Sequence, residues 1–166
     1  MSTNEPRLSR PQTPPGYGIA ETITSAPEIS WERARERLEG ARNYWICSVG
    51  TGRPHAMPVW GLWLEDAFYF STARDSRKGR NLAANPAVSV HLESGDDVVI
   101  LEGEIEVLAD AEALARFVDA YDVKYQVRPD ADDPANAVYV LRPRVAFTWL
   151  ERNYPDSAAR WQFERA

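Results

Sequence analysis

The chain predicts a mainly β fold, a mostly antiparallel barrel of about seven strands with a few short peripheral helices. Three observations point there. Short runs rich in aromatic and β-branched residues recur along the sequence, separated by glycine, proline, asparagine and aspartate. Strand-like and helix-like stretches do not alternate as a parallel βαβ sheet requires. Nor is there a repeat of the kind that builds solenoids or propellers. With 166 residues, 44% of them hydrophobic, the chain suits one domain with a real core.

Residues 1–27 hold five of the twelve prolines and few large apolar side chains, which describes an extended arm ahead of a domain over residues 28–166. Ser30 is placed to cap a helix whose Trp31, Ala34 and Leu38 share one face and which Gly40 ends. Tyr44 to Val49 reads as a strand and Gly50-Thr51-Gly52 as a hairpin turn. His55 to Leu64 reads as one long strand, kinked or at an edge because Pro58 has no N–H to give a ladder. With Phe68 to Thr72 these strands suggest a meander. Gly79 to Ala84 predicts a short helix with Ser76 as its N-cap, stopped by Asn85-Pro86. Ala87 to Leu92 alternates, Ser94 to Asp97 turns, and Val98 to Leu108 supplies another strand in which Gly103 suggests a bulge. Asp110 caps a helix carrying Leu114, Phe117, Val118 and Tyr121 on one buried stripe. Pro129 and Pro134 mark a surface loop before the strands Ala137 to Leu141 and Val145 to Trp149. In all, three short helices accompany six to seven strands.

Composition narrows the function. A net charge of −6 disfavours a general nucleic-acid or anionic-membrane surface, so an anionic partner should be small and locally held. The single cysteine, Cys47, excludes an internal disulfide framework and suits a reducing compartment; its apolar strand makes it a small buried hydrophobe. No apolar run approaches the roughly 18 residues of a membrane span. Without a recognisable export signal, a cytoplasmic protein is expected. The two histidines, His55 and His91, lack metal-ligand spacing, so no metal is expected. Dinucleotide, phosphate-loop and nucleophile-elbow motifs are missing as well.

One segment stands out against this background. Arg74-Asp75-Ser76-Arg77-Lys78-Gly79-Arg80 places four cations where a strand, Ala67 to Thr72, hands over to a helix. The first turn of a helix exposes unpaired N–H groups and a partial positive charge, so Arg77 and Lys78 there are each unfavourable by a few tenths to about 1 kcal/mol. An anion bound between the N–H groups and the cations would turn that repulsion into attraction. A solvated basic turn, partly neutralised by Asp75, is the alternative.

Gly52-Arg53-Pro54, Met57-Pro58-Val59-Trp60, Phe68 to Thr72, Ser76 to Leu82 and Asn85-Pro86 occur in an order that resembles the pyridoxamine 5'-phosphate oxidase-like superfamily of flavin-binding split barrels. The resemblance runs from about residue 50 to 108 and implies a split β-barrel. It assigns the flavin phosphate to Ser76, Arg77 and Lys78. It lays the backbone of Met57, Pro58, Val59 and Trp60 along the flavin ring and brings Ser71 and Thr72 near the ribityl chain or phosphate. The same resemblance implies a homodimer with sites at the subunit interface, to which Trp149, Arg160 and Trp161 could contribute.

Departures from the pattern qualify the activity it implies. Pyridoxamine 5'-phosphate oxidases proper carry an arginine and a lysine where this chain has Met57 and Leu62, so synthesis of pyridoxal phosphate is disfavoured. The Pro-Val-Trp strand and Arg80-Asn81-Leu82 are closer to the branch that uses FMN or the deazaflavin coenzyme F-420. The expectation is therefore an oxidoreductase that moves hydride between FMN or F-420 and a small conjugated organic substrate, with no catalytic side chain assigned because the cofactor carries the chemistry. Arg53, Arg74 and Arg80 are candidates for the acidic tail of F-420. A non-catalytic flavin carrier or sensor is the alternative.

Overall fold

A computed structural model describes residues 5–18, 29–50 and 52–164. Among these residues the chain forms strands β1 (Arg7–Ser9), β2 (Asn43–Ser48), β3 (His55–Trp60), β4 (Leu62–Leu64), β5 (Ala67–Ala73), β6 (Ala87–His91), β7 (Asp97–Val107), β8 (Asn136–Leu141), β9 (Val145–Leu150) and β10 (Ala159–Gln162). Three helices accompany them: α1 (Trp31–Gly40), α2 (Arg77–Ala84) and α3 (Ala111–Tyr125). The expected mainly β class and three helices are observed. The strands are more numerous than the sequence suggests.

Every pairing is antiparallel. Seven strands follow one another around a curled sheet in the order β3-β2-β6-β7-β8-β5-β4. Its two edges, β3 and β4, are consecutive in the chain with only Gly61 between them. The seam is thus closed by a covalent link where a complete barrel would have a hydrogen-bonded ladder. A Cβ at Gly61 would lie 2.5 Å from the ring of Phe68 and 2.8 Å from the Tyr69 carbonyl, so no side chain fits in the seam. The long strand expected over His55 to Leu64 is accordingly two strands, broken at Gly61 and not at Pro58. Pro58 does lie on an edge, since β3 pairs only with β2. β3 does not continue as a meander into β5; β4 and β5 make their own hairpin through Glu65 and Asp66, with φ of 51° and 58°, as a two-residue primed turn demands.

The sheet divides on β7. Asp97 to Glu102 pair with β9, whereas Ile105 to Val107 pair with β8. Gly103 sits at the division, where a Cβ would meet Leu141 Cδ1 at 2.9 Å and the Arg142 carbonyl at 3.1 Å. The β6 register runs unbroken past it, from Ala87 opposite Glu104 to His91 opposite Ile100. Gly103 is therefore a change of partner and not a bulge in that ladder. The branch continues β9-β10-β1, so residues 7–9 of the proline-rich arm add an edge strand to β10. Residues 1–4 and 19–28 of the arm, and Thr51 of the first turn, lie outside the described residues.

Alternation explains the two cores. On β5, Phe68 and Phe70 face the barrel interior with Tyr44, Ile46, Val90, Leu101 and Leu141, while Ala67 and Tyr69 face α3 with Phe117, Val118, Val138 and Val140. Because both faces are covered, β5 and β8 read as near-continuous apolar runs. Trp31 of α1 plugs one side of the interior, packed on Trp63, Trp161 and Phe163 at ring separations of 6.0, 5.8 and 5.0 Å. Trp161 gives its indole N–H to Thr148 Oγ1 at 2.9 Å, which fixes β10 to β9.

Candidate functional site

The segment Arg74 to Arg80 lies at the mouth of the barrel where β5 turns into α2. Ser76 is the N-cap, and its Oγ accepts from the Gly79 N–H at 2.9 Å. Thr72 Oγ1 lies 3.3 Å from the same hydroxyl, so the end of β5 and the helix cap are tied together. Gly79 lets the two elements approach: a Cβ there would lie 2.4 Å from the Ala73 carbonyl and 2.5 Å from that of Arg74. The first turn of α2 contains no acidic residue.

Lys78 is half-buried, with its ammonium 5.8 Å from the centre of the Phe70 ring. Burial holds its pKa below the ordinary lysine value. Arg77 is exposed and donates weakly to the Arg53 carbonyl at 3.4 Å. Arg74 and Arg80 reach backbone carbonyls of Asn136 and Asp75. Every ion pair between side chains of the described residues lies elsewhere in the molecule. Among the described residues, four cations around one helix start thus have no carboxylate partner. Asp75, the nearest acid in sequence, makes no ion pair with them.

His55 opens β3 beside this cluster. Burial, then the charges of Arg77 and Lys78, lower its pKa, and its buried Nδ1 has no hydrogen-bond partner among the described residues. The start of β3 and the start of α2 therefore lie close together. Of the residues between, Val59 packs against the barrel core, whereas Met57 and Trp60 are 46% and 39% exposed. They point to opposite faces of β3, and exposed apolar side chains on an unpaired edge suit that edge to being covered. The Ser71 hydroxyl donates to the Ala137 carbonyl at 3.2 Å. Trp149 contacts Tyr154 at 6.2 Å between ring centres, and Arg160 pairs with Gln162, both on the β9-β10 branch. No cluster of potential metal ligands occurs among the described residues, and no helix there is long and apolar enough to cross a membrane.

The far end of β3 holds a group of residues that sequence reasoning missed. Tyr125, at the end of α3, accepts from the Gly61 N–H at 2.9 Å and shares its one hydrogen between the carbonyls of Gly61 and Arg42, at 2.8 and 2.7 Å. Lys124 donates to the Gly61 carbonyl and to Tyr44 Oη, both at 3.2 Å. Trp60 stacks on Tyr125 with centroids 4.7 Å apart and planes 6° from parallel, and the Arg42 guanidinium lies 5.3 and 5.6 Å from the two rings. Arg42 and Lys124 are 82 residues apart in sequence and carry no motif, so only the seam at Gly61 reveals them.

The residues fit a phosphorylated flavin-type cofactor on structural grounds: a capped helix start, a half-buried unpaired ammonium, an orphaned imidazole nitrogen and an edge strand with one free side. Comparisons with other proteins agree on the architecture. A conserved hypothetical protein from Mycobacterium tuberculosis superposes with a TM-score of 0.64 at 23% identity, covering 78% of this chain and 91% of that one. An F-420 reductase gives 0.56 at 23% identity, covering 68% and 94%, and general stress protein 26 from Bacillus anthracis gives 0.58 at 22%, covering 70% and 91%. At these identities the likeness establishes the fold. No protein of curated function matches the sequence. The profile of the family described as pyridoxamine 5'-phosphate oxidase matches residues 30–150, which span α1 to β9 and contain the whole of the site. This chain belongs to the pyridoxamine 5'-phosphate oxidase family.

Proposed function

We propose that the protein is an oxidoreductase that moves hydride between a bound FMN or coenzyme F-420 and a small conjugated organic molecule. The observation that carries this reading is the unpaired set Arg74, Arg77, Lys78 and Arg80 around the Ser76-capped start of α2, beside the open edge of β3. Ser76, Arg77 and Lys78 hold the phosphate through a hydroxyl, a guanidinium and an ammonium, and Thr72 braces the serine. Binding there offsets the burial cost of the Lys78 charge. Backbone groups on the free side of β3, from Met57 to Trp60, pair with the polar edge of the ring. When bound, the flavin or deazaflavin supplies the hydride chemistry, which is why the chain needs no nucleophile of its own.

Arg53, Arg74 and Arg80 are the cations available to the acidic tail of F-420. FMN would leave them facing solvent. The exposed Met57 on the open edge of β3 also supports a homodimer in which the second subunit covers that part of the edge and completes the site. The principal experiment is titration of the purified protein with FMN and with F-420 separately, followed by absorbance and fluorescence. Tight binding of one of them, lost on Lys78→Met, supports the reading; absence of binding by both ends it. A charge at a phosphate clamp contributes about 1.5–3 kcal/mol, so the loss should be roughly ten- to 150-fold.

A further inference from the structure

We propose that Arg42, Lys124 and the open face of Trp60 form an anion subsite that holds the acidic group of a planar conjugated carboxylate at the end of β3 remote from Lys78. This rests on the reading above that β3 carries the cofactor, and it names the substrate class. Two groups of cations without carboxylate partners flank the same strand. The first, at His55, is the phosphate clamp. The second, at Trp60, is Arg42 and Lys124. Five residue steps of about 3.3 Å separate the two ends of β3 by roughly 17 Å, enough for a ribityl chain followed by a ring, so the second group lies near the ring's outer edge.

The local chemistry favours a flat anion. Tyr125 covers one face of Trp60, yet Trp60 remains 39% exposed, so a second aromatic surface is open to stacking. The exposed Arg42 guanidinium is held beside that stack and makes no ion pair with any described residue. The Lys124 ammonium has only neutral oxygens around it, those of Tyr44 and Gly61. Burial and the neighbouring Arg42 charge bring the Lys124 pKa down to about 8. An anion between the two cations relieves both effects. Glu36 and Glu93 share a cleft with Arg42, and Glu39 one with Lys124, but none of the three pairs with either cation. The hydrogen bonds to Gly61 fix Lys124 at the β3–β4 seam, so the subsite and the cofactor edge share one rigid support.

The test uses the full-length protein and a matched pair of probes, trans-cinnamate and its neutral amide, titrated while the Trp60 indole resonance is followed by NMR and assigned with Trp60→Phe. The acid should bind at least about tenfold tighter than the amide, the worth of one charge-assisted contact. Arg42→Ala should bring the acid to the level of the amide, and Arg42→Lys should restore part of the preference. Lys124→Met should weaken the acid and leave the amide unchanged. Equal binding of acid and amide overturns the proposal, as does a preference that survives Arg42→Ala or disappears with Lys78→Met. Because the titration needs no cofactor, failure of FMN and F-420 binding is read separately from failure of this subsite.

Discussion

Replacing Gly79 by alanine separates helix propensity from packing at the proposed cofactor clamp. In an ordinary helix the exchange stabilises by about 0.8–1 kcal/mol. Here the new Cβ would lie 2.4 Å from the Ala73 carbonyl and 2.5 Å from the Arg74 carbonyl, both rigid backbone atoms. Reaching even 3.0 Å requires α2 to withdraw from the end of β5 by at least 0.6 Å. Overpacking of this kind costs about 1–3 kcal/mol, which exceeds the gain in propensity. The net expectation is a loss of up to about 2 kcal/mol, which at its largest is roughly 4–8 °C in melting temperature. The same withdrawal carries Ser76 away from Thr72 and moves Lys78, so affinity for the phosphorylated cofactor should fall about tenfold or more. Urea denaturation and cofactor titration measure the two effects. A variant as stable as the parent, with undiminished affinity, refutes the claim that close contact between β5 and α2 builds the clamp.

Lys78→Met should leave stability unchanged or slightly higher, because a half-buried charge is replaced by an apolar chain of similar length, even as cofactor affinity falls; thermal melts beside titrations show whether the two move in opposite directions. Tyr125→Phe strips the Gly61 N–H of its acceptor and should cost about 1–3 kcal/mol in urea unfolding, while a neutral result would mean that water replaces the hydroxyl. Lys124 predicts a pH effect of defined sign. Its pKa is about 8 when folded and about 10.5 when unfolded, so between these values the unfolded chain binds more protons and stability gains from this group as pH rises. The stability of the parent relative to Lys124→Met should therefore increase from pH 8 to 10; a constant difference contradicts it.

Much of this architecture was legible in local chemistry. Ser76 and Asp110 announce their helices because an N-cap needs a short polar side chain, and both accept the expected backbone N–H. The strands β2, β5 and β8 were visible from their aromatic and β-branched density. What escaped depends on distant partners. Ala159 to Gln162 has no distinctive pattern and becomes a strand because Thr148 and β9 hold Trp161. Arg7 to Ser9 joins the sheet only because β10 offers an edge. Gly61 lies inside one expected strand and Gly103 at an expected bulge, yet each marks a change in sheet connectivity set by residues far away. The group of cations at the start of α2 was readable because its residues are contiguous. The group around Arg42 and Lys124 was not, since α3 must first fold across the seam.

The Gly61 seam also decides how the edge strand β3 is held. With no ladder on its outer side, β3 is restrained by β2 along its length and at its tip by one peptide group gripped from α3. Small excursions of the last turn of that helix are therefore transmitted directly to the strand. The C-terminal end of α3 thus bears on the outer end of β3 through Gly61, so a sequence change there reaches the strand as well as the surroundings of Lys124.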